Sequence, residues 1–146
     1  MNWRERYGTA YIKAMTQKHP VAMATGYFKS KFPNVATANG LTNMIVNFLN
    51  WNGHRATRVS SAGRFVPGNK YEGGGRFIPS TTRKGTADIS ATIKGRSVMI
   101  EVKVGKDRPS EWQLAEQAKE RAAGGIYEFV ITPEQFFHLY DNIVKS

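Results

Sequence analysis

The stretch that decides the fold is ADISATIKGRSVMIEVKV, residues 87–104, in which apolar and polar residues alternate on both sides of Lys94-Gly95. Alternation with a period of two is typical of a β-strand that buries one face. A two-residue turn containing glycine commonly joins two such strands. The sequence therefore predicts a β-hairpin, with its alternate aliphatic side chains packed inward.

The register of this hairpin groups three charged residues. A two-residue loop pairs Ile93 with Arg96, and counting outward places Asp88 opposite Glu101. A four-residue loop centred there gives the same pairing, whereas a three-residue loop does not. Directly opposed residues share a face of the sheet, and Lys103 lies on that face two residues beyond Glu101. We therefore expect Asp88, Glu101 and Lys103 to lie together.

Two opposed carboxylates repel each other and need a compensating positive charge. A neighbouring lysine is one candidate, and a divalent cation such as Mg²⁺ or Mn²⁺, which prefers hard oxygen ligands, is another. Such an ion polarises a phosphodiester and activates water, while Lys103 would hold that water or stabilise developing negative charge. The alternative is an ordinary polar face exposed to solvent.

The residues that precede the hairpin have weaker patterns. Apolar spacing predicts helices over 3–18 and around 41–49, the second capped by Thr37 or Asn39. Residues 19–36 contain two prolines and a glycine, which indicates a linker or loosely packed arm. Residues 54–66 are interpreted as one strand, with a glycine-rich tip and a return strand at Phe77-Ile78.

The residues that follow the hairpin predict a helix, a strand and a second helix. Ser110 and Gln113 fit a capping box that begins a helix ending at Gly124-Gly125. Residues 126–131 form an apolar strand, and Thr132-Pro133 begins the last helix. The order from residue 87 onward is therefore β-β-α-β-α.

Charge is unevenly distributed along the chain. Of 146 residues, 21 are Lys or Arg and 11 are Asp or Glu, and no carboxylate lies between Glu5 and Glu72. Such a positive segment attracts polyanions, with nucleic acid favoured over an acidic membrane surface because the basic residues are scattered. The candidates for phosphate contact are Arg55, Arg58, Arg64, Lys70, Arg76, Arg83, Lys84, Lys106 and Arg108.

Composition excludes several classes of protein. The chain has no cysteine, which rules out disulfides, thiolate catalysis and Cys-based metal sites. It has no apolar run of transmembrane length and no secretory signal, so we expect a cytoplasmic protein. No P-loop or dinucleotide fingerprint is present, and we expect no small-molecule cofactor beyond the metal. His54 has no partner histidines nearby in the sequence to form an HNH-type centre.

Four short motifs, in order, resemble the virus-type replication–repair nucleases (VRR-NUC) of the PD-(D/E)XK superfamily. They are Gly85-Thr86-Ala87-Asp88, Ile100-Glu101-Val102-Lys103, Ser110-x-x-Gln113 and Gly124-Gly125-Ile126-Tyr127. The resemblance covers about residues 37–140. It implies an α/β fold with a restriction-endonuclease-like core, a mixed β-sheet flanked by helices in the order αβββαβα. The nuclease domain would span residues 37–146, preceded by a basic helix and arm over 1–36.

The resemblance also implies roles for individual residues. Asp88 and Glu101 would bind the metal, with the Val102 carbonyl as a further ligand. Lys103 would position the attacking water, and Gln113 would support Lys103 or a phosphate. The activity implied is that of a Mg²⁺- or Mn²⁺-dependent DNA endonuclease, with a junction, flap, nick or plain duplex as substrate. It would serve phage or bacterial DNA replication, repair or recombination, act as a homodimer, and work in the host cytoplasm if phage-encoded.

Two departures from the family pattern matter. Ala87 replaces the proline usual before the aspartate, where proline only tunes backbone geometry. The helix at 40–50 lacks the family's glutamate, and Asn43 or Asn47 occupies its region, able to hold a water without adding charge. The missing glutamate keeps open the alternative of a nucleic-acid-binding module with a degenerate nuclease centre. A third alternative, a structural protein of a phage or replication complex, rests only on small size and charge.

Overall fold

A computed structural model describes residues 1–26, 31–60, 62–69, 71 and 73–146. Its helices are α1 (Trp3–Lys18), α2 (Pro20–Ala24), α3 (Ala38–Trp51), α4 (Glu111–Ala122) and α5 (Pro133–Lys145). Its strands are β1 (Arg55–Arg58), β2 (Arg64–Val66), β3 (Arg76–Ile78), β4 (Ile89–Ile93), β5 (Arg96–Val102) and β6 (Ile126–Val130).

The central sheet has four strands in the order β1-β4-β5-β6. The first two pairings are antiparallel, and the pairing of β5 with β6 is parallel. Helix α4 provides the crossover that a parallel pair requires. The protein is thus a mixed α/β fold with a mixed sheet flanked by helices. Strands β2 and β3 form a separate two-stranded antiparallel ribbon.

The predicted hairpin is confirmed with its two-residue loop, since Ile93 pairs with Arg96 and Ile89 pairs with Ile100. Lys94 and Gly95 both have positive φ angles, 52° and 78°, as a type I′ turn requires. One feature differs from a half-buried hairpin. The end of β5 is buried on both faces, because Glu101 and Val102 are both covered.

The predicted helix caps are also confirmed. Ser110 and Gln113 form a reciprocal capping box at the start of α4. The Thr132 hydroxyl accepts a hydrogen bond from the Gln135 amide at the start of α5. Thr37, the first of the two predicted candidates, caps α3 by accepting from the Gly40 amide. These local bonds satisfy backbone donors that helix ends leave unpaired.

Helix α1 packs into the same apolar core as the sheet and α3. Trp3 and Tyr7 are buried there, and the Tyr7 ring lies 5.0 Å from the Trp51 ring. At the other side of α1, Arg6 donates two hydrogen bonds to the Asp141 carboxylate of α5, at 3.0 and 2.6 Å. The basic N-terminal helix is therefore fixed to the last helix as well as to the core.

One expectation for the N-terminal half is wrong, and another needs an addition. Residues 54–66 form two strands, β1 and β2, in different sheets. The chain leaves the main sheet after Val59 because the Ser60 carbonyl accepts hydrogen bonds from the Ser80 and Thr82 side chains instead of a strand partner. The arm over 19–36 contains the short helix α2, which begins with Pro20 at a position that favours proline.

Within the described residues, no helix combines the length and the apolar character needed to cross a membrane.

Candidate functional site

The site begins where β4 and β5 diverge. Asp88 lies one residue before β4, and its Oδ2 accepts a hydrogen bond of 3.0 Å from the Val102 amide. The Lys103 amide donates to the Val130 carbonyl of β6, so the neighbouring Val102 directs its amide and carbonyl toward β4. The Asp88 carboxylate therefore takes the ladder position that a backbone carbonyl would otherwise fill.

Glu101 lies at the centre of the site and is only 5% exposed. Its Oε2 accepts a hydrogen bond of 3.1 Å from the Asp88 amide. Its Oε1 accepts from the Gln113 side-chain amide and lies 3.2 Å from Lys103 Nζ. The predicted opposition of Asp88 and Glu101 is thus present, and both oxygens of Glu101 have partners.

Lys103 is 8% exposed, which is unusual for a lysine. Its ammonium group bridges two carboxylates, Glu101 at 3.2 Å and Asp107 at 3.3 Å. Asp107 is half-exposed and lies in the loop between β5 and α4. Lys103 therefore links the buried carboxylate of Glu101 to the exposed loop before α4.

Gln113 joins the helix cap to the site. Its Oε1 accepts a hydrogen bond of 3.0 Å from the Ser110 amide, which closes the capping box. Its Nε2 donates to Glu101 Oε1. The capping geometry therefore aims the amide at the carboxylate, and the partner of Gln113 is Glu101 instead of the expected Lys103 or a phosphate.

Tyr127 is a further residue of the site, and its role could not be predicted from the sequence. It is buried beside Met99 on the α4 side of the sheet, and its hydroxyl donates a hydrogen bond of 2.9 Å to the Gly85 carbonyl. This bond holds the loop before Asp88 against the sheet. Tyr127 is the tyrosine of the Gly-Gly-x-Tyr motif, so the sequence pointed to this residue. The motif alone does not show which group its hydroxyl contacts.

Burial and like charge act together on the ionisable groups. Burial raises the pKa of Glu101, and the neighbouring Asp88 carboxylate raises it further, while Lys103 opposes both effects. The pKa of Tyr127 is raised strongly by burial, with contributions from Glu101 and Asp88. The site thus concentrates negative charge in a region with limited solvent.

A groove of about 280 Å³ opens beside Asp88, Glu101 and Gln113. Its outer wall carries Arg83, Lys84 and Trp112. The Lys84 ammonium lies 5.3 Å from the centre of the exposed Trp112 ring, in cation–π contact. Arg83 forms an ion pair of 2.6 Å with Glu116. The groove therefore has acidic groups at its floor and cations at its rim.

The other basic candidates differ in their distance from the groove. Arg58 pairs with Ile89, next to Asp88, and it donates a hydrogen bond to Asn39. Arg55 pairs with Thr92, three residues farther along β4, and thus lies about 10 Å from the site end of the strand. The position of Arg55 does not support contact with the same phosphate as the site.

The remaining basic candidates lie on loops and on the ribbon. Lys106 and Arg108 are exposed in the loop that contains Asp107, and Arg64 and Arg76 are exposed on β2 and β3. Lys70 lies outside the described residues. The exposed cations are therefore free to meet a polyanion at the loop and ribbon as well as at the groove.

The donor set suits a hard divalent cation but is small. The two carboxylates of Asp88 and Glu101 lie at the end of the hairpin, and the Val102 carbonyl faces the same strand edge as its amide, which bonds to Asp88; all are oxygen donors. Across the residues that the structure describes, no group of three or more His, Cys, Asp or Glu side chains is placed to hold a metal ion. Asn47, one of the two candidates to replace the missing acid, contacts the Tyr7 hydroxyl of α1. Any metal would therefore be held by few protein ligands.

A larger groove of about 610 Å³ lies between β6 and α5. Its lining is mainly apolar and includes Glu128 and Glu134. Asp88, Glu101 and Gln113 do not line it, whereas all three line the smaller groove. The smaller groove is consequently the better candidate for chemistry.

A comparison of the chain with profiles of known protein families finds no match, and a comparison with curated proteins finds none either.

Proposed function

We propose that the protein is a metal-dependent DNA endonuclease of the PD-(D/E)XK type, with a VRR-NUC-like core. The observation that carries this proposal is the cluster at the end of the hairpin. Asp88 and Glu101 lie side by side, with buried Lys103 3.2 Å from Glu101. The nearly buried ammonium group of Lys103 pairs with the carboxylates of Glu101 and Asp107, and its burial carries a large desolvation cost, which favours a functional reason for it.

The order of elements supports the same proposal. From α3 onward the main-sheet elements run helix, three strands, helix, strand, helix, with the β2–β3 ribbon inserted after the first strand. This is the αβββαβα order that the motif resemblance implies. The motif residues Asp88, Glu101, Lys103 and Gln113 come from three different segments of that order and meet in one place.

The proposed roles follow from the contacts. Asp88, Glu101 and the Val102 carbonyl would hold Mg²⁺ or Mn²⁺. The ion, when bound, supplies Lewis-acid polarisation of the scissile phosphodiester. Hydrolysis joins a water oxygen to phosphorus and breaks the bond from phosphorus to one sugar oxygen, which takes up a proton. Lys103 would orient that water or stabilise the charge on the phosphate, and Gln113 would orient Glu101.

The rim of the groove would position the substrate. Arg83 and Lys84 lie next to the carboxylates, where phosphates would otherwise be repelled. Positive side chains at a groove fix the register of a DNA backbone without reading its sequence. We therefore infer that the enzyme contacts DNA mainly through phosphates at this site.

A cleavage assay tests the proposal. Wild type and Lys103→Ala are incubated with supercoiled plasmid and with a labelled four-way junction, each with Mg²⁺, Mn²⁺ or EDTA. We expect wild type to cut in either metal and not in EDTA, and Lys103→Ala to cut on the order of 10²- to 10³-fold more slowly. Lys119→Ala is the control, because this exposed lysine of α4 pairs with Glu116 and has no contact with Glu101.

The outcomes separate clearly. Cutting by wild type and Lys119→Ala, with loss in Lys103→Ala, supports the nuclease. Equal cutting by all three proteins in EDTA indicates a contaminating or metal-independent activity and overturns the proposed site.

A second function is favoured by one observation. Both oxygens of Glu101 are already engaged by Asp88, Gln113 and Lys103, and no third acidic ligand joins them among the described residues. A nucleic-acid-binding module with a degenerate centre would have this arrangement. Absence of cleavage in both metals, with tight and salt-sensitive DNA binding, would support the module over the enzyme.

A further inference from the structure

The β2–β3 ribbon exposes two aromatic rings side by side. Phe65 and Phe77 are directly opposed in the antiparallel register, so they share one face of the ribbon. Their exposed fractions are 63% and 64%. A phenylalanine side chain forms no hydrogen bonds with water, so its exposure is unfavourable. The exposure of two adjacent phenylalanines therefore indicates an interaction surface.

Two glycines determine how these rings lie. A Cβ atom added at Gly63 would lie 2.2 Å from Cζ of Phe77, and one added at Gly75 would lie 2.1 Å from Cζ of Phe65. Each ring therefore packs against a glycine across the ribbon. It fills the space in which the side chain of any other residue at that position would lie. One side of each ring is covered by backbone, and the opposite side is left to solvent.

The charge around the ribbon selects the kind of partner. Arg64 and Arg76 follow the opposite face of the two strands and are exposed. The chain has no carboxylate between Glu5 and Glu72. A ribbon with aromatic rings on one face and arginines on the other suits nucleic acid, in which bases stack on rings and phosphates meet guanidinium groups.

The root of the ribbon adjoins the candidate site. The Thr82 hydroxyl donates a hydrogen bond of 2.8 Å to the Ser60 carbonyl. This bond connects the segment that leads into the ribbon with the segment that leaves it. Thr82 also lines the groove that contains Asp88 and Glu101. A DNA strand leaving the groove on this side would reach the ribbon directly.

We propose that Phe65 and Phe77 form a stacking platform for unpaired bases, and that the DNA substrate carries single-stranded nucleotides next to a duplex. Bases within a duplex hide their faces, whereas the bases of a fork or flap expose them. The inference rests on the proposed function for DNA as the ligand, but it does not depend on catalysis. The competing explanation is that the rings only shield Gly63 and Gly75, a task that leucine also performs.

The test is a binding measurement in EDTA, where no cleavage occurs. Three labelled DNAs are compared: a plain duplex, a fork with unpaired arms, and the same fork with abasic arms that keep the phosphates. We expect wild type to bind the fork about tenfold more tightly than either other DNA. The double variant Phe65→Leu/Phe77→Leu, which retains apolar cover for the glycines, should bind all three with the affinity of wild type for the duplex.

A matched variant separates bases from phosphates. Arg64→Gln/Arg76→Gln should weaken binding to all three DNAs by a similar factor, and it should keep the preference for the fork. Stacking is read independently in wild type from quenching of 2-aminopurine in the unpaired arm, which requires no variant to fold. Equal affinity of wild type for the fork and the abasic fork, or no quenching, would overturn the platform.

The result is distinguishable from failure of the nuclease. Plasmid cleavage without any preference for unpaired bases would overturn the platform and leave the proposed function intact. A preference that depends on Phe65 and Phe77, in a protein that cuts no DNA, would support the platform and overturn the nuclease.

Discussion

At the scale of single residues, the site depends on a buried ion pair, and loss of either side chain should destabilise the protein. Glu101 and Lys103 are both nearly covered and lie 3.2 Å apart. Removal of one partner of such a pair leaves an uncompensated charge, which costs more than the net contribution of the intact pair. The same pair therefore affects both stability and the proposed chemistry.

Lys103→Met keeps an unbranched side chain, one atom shorter, and removes its charge. We expect the free energy of unfolding to fall by about 3 kcal/mol, because Glu101 is left buried beside Asp88. The double variant Lys103→Met/Glu101→Gln should regain part of that loss. Urea denaturation of the wild type, both single variants and the double variant measures the coupling. A double variant as unstable as the sum of its parts would contradict a direct interaction.

Gln113→Glu tests the second contact of Glu101. Glutamate at the third position of a helix retains the capping box, so the α4 cap should persist. The donor to Glu101 is replaced by a carboxylate, and we expect cleavage to fall about 10- to 100-fold through loss of metal affinity. Cleavage is measured as a function of Mn²⁺ concentration. Ser110→Ala is the control, since it removes the hydroxyl that accepts from the Gln113 backbone amide and spares the Gln113 side-chain amide that donates to Glu101. Unchanged cleavage by Gln113→Glu would exclude this role.

At the scale of elements, the hairpin is the part of the fold most strongly encoded in the sequence. Strict alternation over residues 87–104 and the Lys94-Gly95 turn predicted the register, and with it the opposition of Asp88 and Glu101. Helix caps were predictable for the same reason, because they are local. The division of residues 54–66 between two sheets was not, since it depends on hydrogen bonds from Ser80 and Thr82, some 20 residues away.

The surroundings of the site were less predictable than its members. Alternation indicated a polar face, but it did not reveal that α4 and Tyr127 cover that face. The burial of Lys103 and the contact of Gln113 with Glu101 depend on how α4 returns across the sheet. Sequence spacing thus identified the charged cluster, while tertiary packing determines its dielectric environment.

The hairpin turn offers a direct test at this scale. Lys94 and Gly95 both adopt positive φ, a conformation that costs an ordinary residue about 1–2 kcal/mol. We expect Gly95→Ala to lower the free energy of unfolding by about that amount. Lys94→Asn should raise it by a few tenths of a kcal/mol, because asparagine accepts this conformation more readily. Chemical denaturation compares the two with wild type, and a stabilising Gly95→Ala would contradict the turn.

At the scale of the whole molecule, the Arg6–Asp141 pair connects the first helix to the last. Arg6 also lies 4.3 Å from the centre of the Phe137 ring. Its hydrogen bonds hold the pKa of Asp141 below the usual value. A carboxylate with a depressed pKa stabilises the fold above its unfolded pKa, near 4, and that contribution is lost as pH falls through the folded pKa.

Asp141→Asn should therefore lower the free energy of unfolding at pH 7 by about 0.5–1 kcal/mol, the range for pairs partly screened by solvent. The difference from wild type should shrink as the pH falls below 4 and the wild-type carboxyl becomes protonated. Urea denaturation at pH 7 and at pH 3 measures it. A deficit that is equally large at both pH values would mean that the charge of Asp141 contributes nothing.

The charge asymmetry of the chain is a property of the whole molecule, and we expect it to make the proposed DNA binding steeply dependent on salt. Each phosphate neutralised lowers the logarithm of affinity by about 0.9 per logarithmic unit of salt. Arg64 and Arg76 are exposed on the ribbon with no carboxylate partner among the described residues. We expect Arg64→Gln/Arg76→Gln to reduce the slope by about two.

Arg121→Gln is the matched control for that slope. Arg121 lies in the charge-balanced C-terminal part of the chain and forms an ion pair of 2.7 Å with Glu128, so its charge is already compensated. Binding of a plain duplex is measured at several salt concentrations in EDTA for the three proteins. If the control changed the slope as much as the ribbon variant, affinity would follow total charge alone. An unchanged slope in the ribbon variant would remove the ribbon from the DNA-binding surface, and Lys84 at the groove rim and the exposed loop cations Lys106 and Arg108 would then have to supply the phosphate contacts.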